Sequence, residues 1–286
     1  MPPTDQPART WVSRFVDVGG IRTHYLDAGD GDRTVVLLHS GEFGASAELC
    51  WEYNIAALAQ HYRVVAPDWL GFGQTDKLHD FVSKSDRMIR HLVAFLRVLD
   101  IDEAHFVGAS MGATRLVQEA ARVEPRLPIR SMVLASGGGF VPDNVYRRSL
   151  LDYDGTPDGM RRILNACFVD PRWAENEKYV ERRVRSSLLP GAWESAAAAR
   201  LKAPNVKPRS DFGQDDTTPY EQVSVPTLAI AGAKDLLREP GYHHTLEVIP
   251  GVEVVVLDDA GHLLNIERAE SFNHLVVEFL RSLEES

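Results

Sequence analysis

A chain of 286 residues is long enough for one sizeable core, and 44% apolar with 25% charged residues is an ordinary globular balance. A net charge of -10 argues against nucleic acid or an anionic membrane surface as the main partner. Two cysteines, Cys50 and Cys167, without metal-like spacing exclude a disulfide framework, and no apolar run nears the roughly 20 residues that span a bilayer. The N-terminal "MPPTDQPART" lacks the apolar stretch of a secretory signal. A cytoplasmic protein with a disordered first ten residues is therefore expected.

In chain order, "WVSRFVDV" and "IRTHYLDAG", split by Gly19-Gly20, read as a strand pair. "TVVLLH" (34–39) is a β-branched run of the buried-strand type. "WEYNIAALAQ" is amphipathic and predicts a helix. "RVVAPD" (63–68) is a strand ended by Pro67 and Asp68, followed by the Gly-rich loop "WLGFGQTD". "SKSDRMIRHLVAFLRVLD" has helical spacing, with Met88, Leu92, Phe95, Leu96 and Leu99 on one face. "AHFVGAS" then "MGATRLVQEAARV" is strand then helix, and "IRSMVLAS" is another strand. Toward the C-terminus come the strand "TLAIAGAKD", a short helix at "GYHHTLEVI", the strand "VEVVVLDD" and a closing helix over 265–283. Strands alternating with helices imply a mostly parallel sheet with helices on both faces, an α/β fold.

The alternation stops between about residues 140 and 217. That segment has no strand-like run but carries Arg-rich helical patterns such as "GMRRILNACF" and "EKYVERRVRSSL", punctuated by prolines. It reads as a helical insertion at 140–217, with the α/β core formed by 1–139 and 218–286. Its tail, "APNVKPRSDFGQDDTTP", is polar and loop-like.

The chemistry begins at "GASMG" (108–112), which fits G-x-S-x-G between a strand and a helix. A nucleophile on so tight a turn has strained backbone angles, and its neighbours two positions away must be glycine for strand and helix to approach. The turn lifts the Ser110 hydroxyl out at the sheet's C-terminal edge, above a helix N-terminus that favours developing negative charge. A helix N-cap serine is the plainer alternative. Serine needs a base, and the base needs an orienting acid. "DDAGHLLNIE" supplies His262 after one strand, and "AGAKDLL" supplies Asp235 at the end of the strand before it. Each alone could be a cap or turn residue; together they stand in the order Ser110, Asp235, His262 at one sheet edge. Asp258 and Asp259 are rival acids, placed too near His262 in sequence to approach its ring from behind. His243-His244 lies on the short helix and is not expected to hold a metal. The loop "HSGEFGAS" follows a buried strand, and the N–H of Gly41 can join that of Met111 in holding an oxyanion.

With these motifs in order, the chain resembles the α/β-hydrolase superfamily: "VVLLHSGEFG", "VVAPDWLGFGQTD", "VGASMGA", "AGAKD" and "DAGHLLNIE" carry the resemblance over nearly the whole length. The resemblance implies an α/β-hydrolase fold, with 140–217 as a helical lid inserted after the sixth strand. A closer resemblance is to the meta-cleavage product hydrolases, which split carbon–carbon bonds in dienoate products of aromatic-ring degradation. "HSGEFGAS" is similar to their H-G-x-G-P-G-A loop, and "LGFGQTDK" to their P-G-F/Y-G-x-S-D-K. In that family a lid arginine binds the substrate carboxylate, and "KYVERRVRSS" places Arg183 at that position. The sequence departs from the pattern at Ala109, where the family usually has Asn, and at Leu263, where it usually has Trp. Glu42 and Phe43 stand where Gly-Pro is typical. Arg183, Ala109, Leu263 and Phe43 are thus the substrate-contact candidates.

These departures remove polar and aromatic contacts to a dienoate. The expected function is accordingly a serine hydrolase that cleaves a small-molecule ester, thioester or lactone through an acyl-enzyme. A meta-cleavage type C–C hydrolase acting on a vinylogous diketone acid is the alternative. A cofactor-free lyase, oxygenase or acyltransferase, or a ligand receptor on the same fold, is the rival of another class. No metal or organic cofactor is implied, and the only expected partner is the small-molecule substrate.

Overall fold

The computed structural model describes residues 7–201 and 212–284, so only 7–10 of the first ten residues fall within it. Strand β1 (Val12–Val18) returns as β2 (Ile21–Ala28) through Gly19 and Gly20, both at positive φ, as a two-residue hairpin turn favours. The remaining strands are β3 (Thr34–Leu38), β4 (Arg63–Pro67), β5 (Ala104–Ala109), β6 (Ile129–Ala135), β7 (Thr227–Gly232) and β8 (Glu253–Leu257). They form one sheet in the order β1-β2-β4-β3-β5-β6-β7-β8. β2 is antiparallel to both of its neighbours, and every pairing from β4 to β8 is parallel.

Helices α1 (Ala47–Trp51) and α2 (Ile55–Leu58) cover one face, where Trp51, Ile55 and Leu58 meet Val35, Leu37 and Val107. Helices α3 (Lys84–Val98) and α4 (Met111–Ala120) cover the other, against Val36, Leu38 and Phe106. Because consecutive strand residues point to opposite faces, two covered faces demand uninterrupted apolar runs, as seen in "TVVLL". Among the described residues, five α-helices stand between β6 and β7: α5 (Val145–Leu151), α6 (Pro157–Cys167), α7 (Arg172–Glu175), α8 (Glu177–Ser187) and α9 (Ala192–Ala197). Pro157 opens α6, where its missing N–H costs nothing, and Pro171 precedes α7. This insertion has its own apolar cluster around Met160, Ile163, Leu164, Trp173 and Val180, which Phe43, Leu237 and Leu263 join from the sheet side. Helices α10 (Leu264–Glu267) and α11 (Ala269–Ser282) follow β8 and complete the first face through Phe272, Val276 and Leu280. Among the described residues no helix is long and apolar enough to cross a membrane.

Three expected helices differ in detail. "WEYNIAALAQ" does not form one helix; α1 and α2 are separated at residues 52–54, where the Asn54 amide donates to the Asn265 carbonyl at 2.8 Å and to Asn273 Oδ1 at 2.7 Å. The closing helix is split at Arg268, whose backbone (φ -125°, ψ 47°) leaves the helical region while its side chain pairs with Asp259. The segment after Gly241 winds as a 3₁₀ helix over Tyr242–Val248. Within the polar tail expected at 203–219, residues 202–211 lie outside the described ones, and 212–219 form no regular element.

Candidate active site

The parallel strands bring their C-terminal ends to one edge of the sheet, and four of the loops that leave this edge converge. β5 runs directly into α4 through Ser110, which is held at φ 52°, ψ -111°, a conformation that costs a non-glycine residue of order 1–3 kcal/mol. The flanking glycines are required by space. A Cβ on Gly108 would stand 2.5 Å from the Ala113 nitrogen, and one on Gly112 would stand 2.1 Å from the Leu38 carbonyl oxygen. Strand β3, strand β5 and helix α4 can therefore meet only with glycine at both positions.

His262 sits on the loop between β8 and α10. Its backbone N–H and that of Leu263 donate to the Cys167 carbonyl at 2.9 and 3.2 Å, which ties this loop to the end of α6. Glu267 braces the same junction: its carboxylate accepts from the Gly261, Val169 and Asp170 N–H groups, each at 2.8 Å. Asp235 lies three residues past β7, and its Oδ1 accepts from Leu237 N–H at 2.9 Å. The imidazole is thereby placed 2.6 Å from Ser110 Oγ through Nε2 and 2.8 Å from Asp235 Oδ2 through Nδ1. Since Asp235 can only accept, Nδ1 carries the proton and Nε2 is left to accept from the serine hydroxyl. Burial holds His262 below its ordinary pKa, although Asp235 works against that shift. Burial alone would raise Asp235, yet His262 opposes it most strongly, with help from Arg238 and Leu237 N–H, and the carboxyl lies below its usual range. At neutral pH the chain is a hydroxyl, a neutral base and a carboxylate.

The rival acids stand apart from this chain. Asp259 is exposed and paired with Arg268 at 2.7 Å, and Asp258 is exposed. His244 is paired with Glu247 on the surface, and among the described residues no group of three His, Cys, Asp or Glu side chains could hold a metal ion.

Gly41 packs against the first residue of α4, where a Cβ would come within 2.7 Å of Met111 Sδ. Met111 N–H belongs to the first turn of the helix and has no intrahelical acceptor. The loop that carries Gly41 is fixed from behind by His39, whose Nε2 accepts from Trp69 N–H at 3.0 Å and whose Nδ1 donates to the Ser40 carbonyl at 2.6 Å. Asp68, which ended the strand reading at "VVAPD", gathers the N–H groups of Ala47 and Gln74 and the His24 ring, all at 2.7 Å. Sequence reasoning gave His39, Asp68 and Glu267 no such roles, because each acts on backbone brought close only by the fold.

Ser110, His262, Gly41, Met111 and Phe43 line a cavity of about 700 Å³ between the sheet edge and the insertion. That size holds a small organic molecule. The other three substrate-contact candidates lie off its wall. Ala109 points into the core on the α1–α2 face, as strand alternation requires beside Val107. Leu263 is fully buried in the apolar cluster of the insertion. Arg183 is buried behind the Gly41 loop. Its Nη1 donates to Glu42 Oε1 at 2.6 Å, its Nη2 to Tyr179 Oη at 2.8 Å and the Leu49 carbonyl at 3.3 Å, and its Nε to the same tyrosine at 3.2 Å. Burial alone would raise the Glu42 carboxyl, but Arg183, the residue's own N–H and the Ser40 hydroxyl hold it below the usual range. Two buried arginines of the cavity lining were not singled out from sequence, Arg147 on α5 and Arg238 after Asp235; the half-buried Arg115 on α4 lines it as well. Only their burial, invisible in the sequence, distinguishes them from surface charges.

Comparison with known proteins agrees with this geometry. The sequence profile of the alpha/beta hydrolase family matches residues 35–275. The 2-hydroxy-6-oxo-6-(2'-aminophenyl)hexa-2,4-dienoic acid hydrolase of Metapseudomonas resinovorans is 31% identical over 283 residues, covering 97% of this chain and 93% of that protein. The 2-hydroxymuconate semialdehyde hydrolase of Pseudomonas sp. (strain CF600) is 30% identical over 274 residues, covering 94% of each. The crystal structure of the meta-cleavage product hydrolase from Pseudomonas fluorescens IP01 superposes with a TM-score of 0.84 at 28% identity, covering 94% of this chain and 98% of that one.

Proposed function

The chain belongs to the alpha/beta hydrolase family and is a hydrolase, and from that premise we propose that it cleaves a carbon–carbon bond in an acidic vinylogous 1,5-diketone. The observation that carries this reading is the agreement of full-length relatives, each named for a dienoate or semialdehyde substrate of that kind, with an intact Ser110–His262–Asp235 chain facing the cavity. The relatives favour this reading over the ester preference expected from the departures at Ala109, Leu263, Glu42 and Phe43; of these four, Ala109 and Leu263 lie off the cavity wall, whereas Glu42 and Phe43 line it.

In this mechanism the dienol first ketonises: its hydroxyl proton is lost and a proton is added at the carbon next to the distal ketone. His262 then takes the Ser110 proton while Oγ attacks that ketone, and the N–H groups of Gly41 and Met111 hold the oxyanion. The bond between the carbonyl carbon and its neighbour breaks, and its electron pair passes into the vinylogous enone, which His262 protonates as an enol. Water, deprotonated by the same histidine, hydrolyses the acyl-Ser110 ester and releases a carboxylic acid. Asp235 keeps the imidazole in the required tautomer throughout.

Ester or lactone cleavage would use the same acyl-enzyme. One observation favours it as the second reading: Glu42 already fills the Arg183 guanidinium that would otherwise receive a substrate carboxylate. The test is the loss of dienolate absorbance for a 6-aryl-2-hydroxy-6-oxohexa-2,4-dienoate, with benzoate-type acid and dienoate products identified, against a nitrophenyl ester. Ser110→Ala is the control for both. Turnover of the ester with an inert dienoate would overturn the C–C reading.

A further inference from the structure

If the substrate is an acid, the cavity must offer it a cation, and Arg183 is committed to Glu42. The other buried arginines of the wall differ sharply in how they are occupied. Arg238 has all its nitrogens engaged: Nε and Nη2 donate to the Ser136 carbonyl, Nη1 to the Gly138 and Phe140 carbonyls, and Nη2 also to Thr114 Oγ1. It holds the 136–140 turn and has no donor to spare. Arg147 is equally buried but gives only Nε and Nη2, both to the Leu237 carbonyl, at 3.2 and 2.8 Å. No carboxylate pairs with it among the described residues, and its Nη1 meets no protein acceptor there. The Phe212 ring lies 5.4 Å from its guanidinium carbon. Burial, reinforced by Arg238 and opposed by the nearby but unpaired Asp235, pushes its pKa down to about 10, so it still carries its charge at neutral pH.

The acids of the cavity wall do not answer this charge. Glu42 serves Arg183, Asp216 accepts from Thr218 and Tyr220, and Asp215 is exposed. A buried cation with unfilled donors is costly unless an anion arrives to meet it. Arg147 shares the cavity with Ser110 and His262 and is close enough to His262 to depress its basicity.

The geometry points to Arg147, on α5, as the residue that binds a carboxylate of the substrate, with Glu42 standing in as a built-in carboxylate at Arg183. This inference rests on the acidic-substrate reading above and adds where the acid is read. Its consequence is selection for anionic over neutral substrates of the same shape. Arg147 acts by binding; no proton or covalent step is asked of it.

The test is binding, which does not depend on cleavage. A chromophoric 6-aryl-2-hydroxy-6-oxohexadienoate and its methyl ester are titrated against the Ser110→Ala protein at fixed salt. The free acid is expected to bind roughly ten- to a hundred-fold tighter than the ester, the span of one charge-assisted bidentate contact. In Ser110→Ala/Arg147→Met the preference should vanish. In Ser110→Ala/Arg147→Lys, which keeps the charge without the fork, part of it should return, and thermal melts establish that each variant is folded. In Ser110→Ala/Glu42→Gln/Arg183→Met the preference should persist. A preference that survives Arg147→Met, that is absent with Arg147 in place, or that disappears with Arg183 overturns the assignment. Turnover of the same dienoate by the unsubstituted enzyme is read separately. Selective binding without cleavage would sink the C–C reading and leave Arg147 as the anchor, whereas cleavage without selectivity would do the reverse.

Discussion

Glu42→Gln is the sharpest perturbation of the site. It removes one charge of a pair whose partners are 1% and 4% exposed and 2.6 Å apart, while keeping the side-chain volume. Arg183 would then meet only uncharged acceptors, the amide oxygen at position 42, Tyr179 Oη and the Leu49 carbonyl. Breaking one side of a buried pair costs about 3–5 kcal/mol, because the surviving charge stays desolvated. For a chain of this size that corresponds to roughly 6–15 °C in Tm, at about 2–3 °C per kcal/mol. The double change Glu42→Gln/Arg183→Met removes the stranded charge together with its partner and should recover most of the loss, since an apolar side chain of similar length suits a buried site. The measurement is a double-mutant cycle by urea denaturation, with a coupling energy of about 2 kcal/mol or more expected. Function should follow as well. Glu42 adjoins Gly41, so its release from α8 loosens the loop that presents the Gly41 N–H, and kcat should fall more than KM rises. A single variant within about 0.5 kcal/mol of the starting protein, or a double variant whose loss equals the sum of the singles, would refute the view that this pair clamps the loop.

The remaining expectations concern the hydrolytic centre. Asp235→Asn should leave the fold intact and lower kcat by about 10⁴, the cost known for the equivalent change in a serine protease, and Asp259→Asn should have little effect on kcat; the reverse ranking in steady-state assays would put the orienting acid elsewhere. Because burial holds His262 below its ordinary value of 6.5, the acid limb of kcat/KM should fall below pH 6.5, with activity rising as pH increases through it; a limb above that pH contradicts the buried neutral base. His91 and His105 are pushed down to about 4, chiefly by burial. Between pH 4 and 6.5 the unfolded chain therefore binds more protons than the folded one, so Tm should drop on acidification through that window, and His105→Gln should flatten the slope. Gly112→Ala should destabilise the protein by more than about 2 kcal/mol in denaturant titration, since its Cβ would stand 2.1 Å from the Leu38 carbonyl oxygen and neither backbone segment is free to move away.

Much of this protein is written locally. A hairpin turn needs two residues at positive φ, and Gly19-Gly20 can be read directly. A strand covered on both faces needs an unbroken apolar run, and "TVVLL" shows it. The tight strand-to-helix turn needs glycine on either side of Ser110, so the nucleophile candidate was legible, as were His262 and Asp235 from their places after two strands of a parallel sheet. What the sequence does not contain is the pairing of charges across space. An Arg-rich helix looks the same whether its guanidinium meets solvent, a substrate or the protein itself. Only the tertiary structure brings Glu42 and Arg183, 141 positions apart, into one buried pair and sets Arg147 on the cavity wall with the Leu237 carbonyl as its one acceptor among the described residues. Turns and strand faces are decided by steric rules that act over a few residues, whereas the availability of a charge is decided by whatever the fold packs against it.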